Sequence, residues 1–133
     1  MQALGRSIDI DKRFLDYIER KKQTQKIGAN IETRLTAPDS SELEAREAEV
    51  VLIVDTYHHI EERVAYLKKL KKCIHEGGVL VIIEFKKEKT SPGPPVELRL
   101  AQEQVESELR SAGFTIVSAD RETLPYQYIV KAH

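Results

Sequence analysis

An unbroken apolar run, Val50-Val51-Leu52-Ile53-Val54, ends abruptly in Asp55, Thr56, Tyr57, His58 and His59. The run is too short for a helix, and it lacks the polar alternation of a strand with one wet face. It predicts a strand buried on both faces, as in a parallel sheet covered by helices. The polar cluster then falls at the strand's carboxyl end, where open α/β sheets place their ligands.

A second apolar run, Val79-Leu80-Val81-Ile82-Ile83, ends at Glu84. Between the two runs, Val64, Leu67, Leu70 and Ile74 recur on one helical face, with Tyr66 and Cys73 beside it and lysines 68, 69, 71 and 72 outside. Gly77-Gly78 is expected to stop that helix. Two strands joined by a helix make a βαβ unit with parallel strands. Upstream, residues 4–10 form a weak strand, and Asp11 is a plausible N-cap for a helix whose stripe is Phe14, Leu15, Tyr17 and Ile18. Residues 31–35 alternate like an edge strand. The acidic stretch 42–49 has room for a helical turn. Downstream, residues 86–95 form a long polar, proline-rich connection, either a substrate loop or a solvated linker. Leu98, Ala101, Val105, Leu109 and Ala112 mark a further helix, and residues 114–117 and 126–130 are the last two strands. The short link between those two suits an antiparallel return.

A chain of 133 residues, 41% hydrophobic and 32% charged, is expected to be one soluble domain spanning 1–133. A formal net charge of −1 gives no broad attraction for nucleic acid or anionic membrane. No stretch approaches membrane-spanning length, and the N-terminus lacks a signal-peptide core, so the expected compartment is the cytoplasm. The single cysteine, Cys73, excludes an internal disulfide and a multi-cysteine zinc site.

Asp9, Asp55 and Glu84 all follow predicted strands, and a strand-end acid can accept both hydroxyls of a ribose. His58 and His59, with Glu61 and Glu62 nearby, invite a metal reading. Adjacent histidines diverge, however, and no third ligand has a recognisable spacing, so no metal is expected. One imidazole serving as hydrogen bonder or proton acceptor is the alternative. The glycine fingerprint of a nicotinamide site is absent.

In this order and spacing the motifs resemble the class I S-adenosylmethionine-dependent methyltransferases. Ser7-Ile8-Asp9-Ile10-Asp11 is similar to that family's second strand, and residues 49–59 to its fourth. His75-Glu76-Gly77-Gly78-Val79-Leu80 resembles the glycine signature before the fifth, and Ala112-Gly113-Phe114 with the tyrosine-rich end resembles the last two. The resemblance implies a Rossmann-like, mostly parallel sheet flanked by helices, with a last antiparallel strand and an incomplete N-terminus. It implies S-adenosylmethionine as cofactor, with Asp9 on the ribose, Ile10 against the adenine and residues 36–39, including Asp39, along the adenine edge. Asp55, Thr56 and Tyr57 would border the methionine part and the transferred methyl. His59 would face an acceptor that the sequence does not identify, so Tyr57 and His59 are the implied catalytic pair. The family's first strand and glycine-rich loop have no counterpart before Ser7. That leaves strand edges open and implies homo-oligomerisation through them. The rival function is a non-catalytic remnant or partner-binding module on the same scaffold.

Overall fold

A computed structural model gives the structure of residues 3–133, which divide into two units, one ending at Glu42 and one spanning Leu43–His133. In the first, β1 (Gly5–Asp9) and β2 (Ile31–Leu35) pair in parallel, from Gly5 opposite Ile31 to Asp9 opposite Leu35. The helix α1 (Lys12–Gln25) connects them. Asp11 caps it as its sequence position predicts, accepting from the Arg13 amide at 2.9 Å. Only Leu15 of the expected stripe is buried, while Phe14 and Tyr17 are 60% and 56% exposed. Two strands offer the helix a surface wide enough for little more than one row of side chains.

The second unit contains β3 (Ala48–Val54), α2 (Arg63–Cys73), β4 (Ile74–Phe85), α3 (Gln102–Ser111), β5 (Ile116–Asp120) and β6 (Gln127–Ala132). Its sheet has the order β3-β4-β6-β5. β3 runs parallel to β4, and β6 runs antiparallel to both β4 and β5, so the one reversed strand is the last. The mostly parallel Rossmann-like arrangement with an antiparallel return is therefore present. Leu67 and Leu70 of α2 and Val105 and Leu109 of α3 pack with Leu80, Ile82, Tyr128 and Val130 of the sheet in one core. No helix among the described residues is long and apolar enough to cross a membrane.

Several boundaries differ from the sequence expectation. The run at 50–54 is not buried on both faces: Val51 and Ile53 pack on the core, but Val50, Leu52 and Val54 are 64%, 60% and 42% exposed. Among the described residues β3 pairs only with β4. The α2 helix stops at Cys73, and Ile74 already belongs to β4. The glycines instead form an irregularity in the β3–β4 ladder, where the register jumps from Ala48–Ile74 to Val50–Val79. Gly77 has φ +83°, and a Cβ on Gly78 would meet the Glu49 carbonyl oxygen at 2.7 Å. Residues 42–47 form no helical turn, and both Glu42 and Arg46 take positive φ. Leu98 lies in a short turn ahead of α3 and is 55% exposed, leaving the helix to begin at Gln102. Phe114 is buried before β5 begins, and β6 extends to Ala132.

Candidate functional site

In the first unit Asp9 ends β1, and its carbonyl accepts from the Thr36 amide at 3.0 Å, which holds the carboxyl ends of β1 and β2 together. The Asp9 Oδ1 accepts from the Asp11 amide at 2.8 Å. Ile10 follows at 60% exposure, and Asp39 lies exposed in the connection after β2. Asp11 beside them carries the Arg13 guanidinium and amide, which hold its carboxyl at about 2. This group therefore presents one strand-end acid beside an exposed aliphatic side chain.

In the second unit the chain leaves β3 through Asp55, which takes φ 51° and donates its amide to the Ile83 carbonyl at 2.8 Å. That left-handed residue turns the strand out of the sheet. The Asp55 carboxylate accepts from Gln127 Nε2 at 2.9 Å through both oxygens. Thr56 is exposed, and its hydroxyl donates back to the Val54 carbonyl at 2.9 Å. Tyr57 does not lie on the rim surface: its side chain is fully buried in the core beneath it. Its hydroxyl donates to Glu108 at 3.4 Å, and Glu108 accepts from Arg63 Nε at 2.8 Å. Burial first, and the Glu108 charge second, push the phenol well above its ordinary value, so it stays neutral. His59 is exposed, its ring 4.1 Å from that of His58.

Glu84 is not a rim acid. It lies within β4, 1% exposed, and accepts from the amide of His58 at 3.0 Å, with the ring Nδ1 of His58 also 3.0 Å from its carboxyl group. The sequence held a signal for this, since Leu80, Ile82 and Glu84 share one strand face and the first two are core residues. Neither Tyr57–Glu108 nor Asp55–Gln127 has any local signal, because the partners are 51 and 72 residues apart. Among the described residues no three His, Cys, Asp or Glu side chains converge as a metal site would require.

The loop 86–95 is organised around Arg99, which is 2% exposed. Its guanidinium donates to the carbonyls of Pro94, Glu88, Pro92 and Lys86 and to the Thr90 hydroxyl, at 2.7 to 3.2 Å. The face of the Phe85 ring lies 5.3 Å from it. The loop is thus fastened from within, while residues 87–89 and 91–93 remain exposed.

Residues 5–82 match the family described as "Methyltransferase domain". No curated protein matches the sequence. Among solved structures, the fold is similar to a SAM-dependent methyltransferase from Aquifex aeolicus, with 24% identity and a TM-score of 0.88 over 96% of this chain and 66% of that one. It is also similar to a putative type 11 methyltransferase from Sulfolobus solfataricus, with 20% identity and a TM-score of 0.76 over 96% of this chain and 68% of that one. The trans-methyltransferase CalH, in complex with SAH, is similar at 19% identity and a TM-score of 0.75 over 96% of this chain and 41% of that one. The chain thus spans about two thirds or less of these structures. With the family match covering more than half of its residues, this chain belongs to the methyltransferase-domain family.

Proposed function

We propose that this methyltransferase-family domain binds S-adenosylmethionine and passes its methyl group to an acceptor nucleophile. The observation that carries the reading is Asp9 at the carboxyl end of a parallel strand pair, half-buried and beside exposed Ile10. Asp9 would take the ribose hydroxyls, with Ile10 and Asp39 along the adenine. Asp55 and Thr56 would border the methionine part. His59 would meet the acceptor, and Tyr57 would act from below by holding the turn that carries the histidines. The match through residues 5–82 runs across both units, which supports reading 1–133 as parts of one domain. A single cysteine, with no internal disulfide to form, supports a cytoplasmic setting.

Methyl transfer from a sulfonium is an in-line displacement, so the protein's task is alignment and, for a protonated nucleophile, removal of one proton. Titration of the isotope-labelled chain with S-adenosylhomocysteine, followed by amide NMR, tests the reading. Shifts are expected at Asp9, Ile10, Asp39, Asp55 and Thr56. An unchanged spectrum at millimolar ligand refutes it.

A second reading, a partner-binding module, is favoured by one observation. The exposed Val50, Leu52 and Val54 share one face of β3, a strand that among the described residues has a neighbour on one side only. Such an edge carries unpaired backbone groups and no charge within 50–54 to deter pairing. Self-association through this edge is part of the proposal and is compatible with either function.

A further inference from the structure

We infer that the outward face of α1 is a binding surface for single-stranded nucleic acid, with Tyr17 as the platform for a base and Arg20 and Lys21 as phosphate contacts. The overall charge of −1 conceals a local excess, because residues 12–26 hold six cations and only two acids, Asp16 and Glu19. Each acid already has a lysine, Lys12 at 2.8 Å from Asp16 and Lys22 at 3.2 Å from Glu19. Arg20 and Lys21 are exposed, and among the described residues neither pairs with a carboxylate. Phe14, Tyr17 and Lys21 follow one another at helical spacing, and both rings are more than half exposed. The Lys21 ammonium lies 5.9 Å from the centre of the Tyr17 ring.

Charge and lining together select the partner. An open groove of about 370 Å³ runs beside Tyr17, and its other walls are Arg20, Lys21, Thr24 and Gln25. No carboxylate lines it, so an anion meets no repulsion there at close range. An exposed aromatic ring beside unpaired cations is the combination that holds a single strand, since every base offers a face to stack and every nucleotide a charge. The Thr24 hydroxyl oxygen and the Gln25 amide add hydrogen bonders suited to a base edge or a sugar. They do not suit an acyl chain, and Leu15, which could have extended an apolar row into a bilayer, is buried within its own unit. The surface uses none of the residues assigned to the cofactor, so the inference goes beyond the methyl-transfer reading and stands without it.

Fluorescence anisotropy of a labelled oligoadenylate about twelve nucleotides long, as RNA and as DNA, tests the surface in the absence of cofactor. Saturable binding that weakens as salt rises is expected. Tyr17→Phe should bind as the wild type does, whereas Tyr17→Leu should bind about five- to 150-fold more weakly at an unchanged salt slope. Arg20→Gln and Lys21→Gln should each lower that slope by about 0.7. Equal affinity for the two strands supports contacts to phosphate and base alone, and a preference for RNA adds the 2′-hydroxyl. No binding at high micromolar chain in low salt overturns the proposal, as does a Tyr17→Leu chain that binds like the wild type. Equal competition by polyglutamate, which has charge but no bases, overturns it too, as does binding to phosphatidylserine vesicles without binding to either strand. Should Tyr17→Leu fail to fold by circular dichroism, the wild-type ring decides. Its NMR resonances, assigned through Tyr17→Phe, are expected to move upfield when the strand is added, and unmoved resonances overturn the proposal.

Discussion

Replacing Arg99 by methionine removes the internal fastening of the loop 86–95. The guanidinium is nearly inaccessible and has five oxygen acceptors within 3.2 Å. Hydrogen bonds to a charged donor contribute about 1.5–3 kcal/mol each, so five counted separately would reach the whole stability of a small domain. They do not add. The loop is exposed at residues 87–89 and 91–93, so its freed carbonyls can turn to water, and methionine also removes a charge that was costly to bury. The net loss for Arg99→Met is expected to be about 2–4 kcal/mol. Arg99→Lys should cost at least as much, because a point ammonium reaches fewer of the five acceptors while remaining buried. Urea unfolding measures the loss, and tryptic cleavage after Lys86, Lys87 or Lys89 should accelerate in both variants. An Arg99→Met chain as stable as wild type, with unchanged cleavage, would refute the reasoning.

Other perturbations follow from single contacts. Tyr128 is fully buried and donates to the Leu100 carbonyl at 2.8 Å, so Tyr128→Phe should cost about 1–2 kcal/mol in urea unfolding, and a neutral result would count against that bond. The Asp11 carboxyl is lowered from 3.8 to about 2 by Arg13. Its contribution to folding is thus complete above pH 4 and lost as pH falls through about 2; an NMR titration with a midpoint near the ordinary value would contradict this. Burying a side chain such as Leu52 contributes about 1.5–3 kcal/mol, and a two-fold interface through β3 counts it twice. Leu52→Lys should therefore weaken self-association about a hundredfold or more, read by sedimentation velocity. A wild-type chain that sediments as a monomer at every concentration ends the edge-pairing proposal.

Strand-end chemistry was legible where a local pattern carried it. The runs at 50–54 and 79–83 are strands in parallel register, and Asp11 caps its helix. Burial was less legible. A continuous apolar run implies cover on both faces, but what covers a strand is decided by elements far away in sequence, and here the helices cover one side. The glycines at 77 and 78 read as a helix stop because their need for positive φ and close approach is the same in a helix terminus as in a ladder irregularity. Of the rim, His59 and Thr56 emerge exposed, Tyr57 turns into the core, and the buried partner of His58 is visible only once the period of β4 is followed one residue past its apolar end.

Calorimetric titration of S-adenosylmethionine into the chain, beside Asp9→Ala, addresses the proposed function at its root. Saturable heat that weakens sharply when the Asp9 carboxylate is removed is the predicted outcome. No heat at millimolar cofactor, or an Asp9→Ala chain that binds as the wild type does, would contradict it.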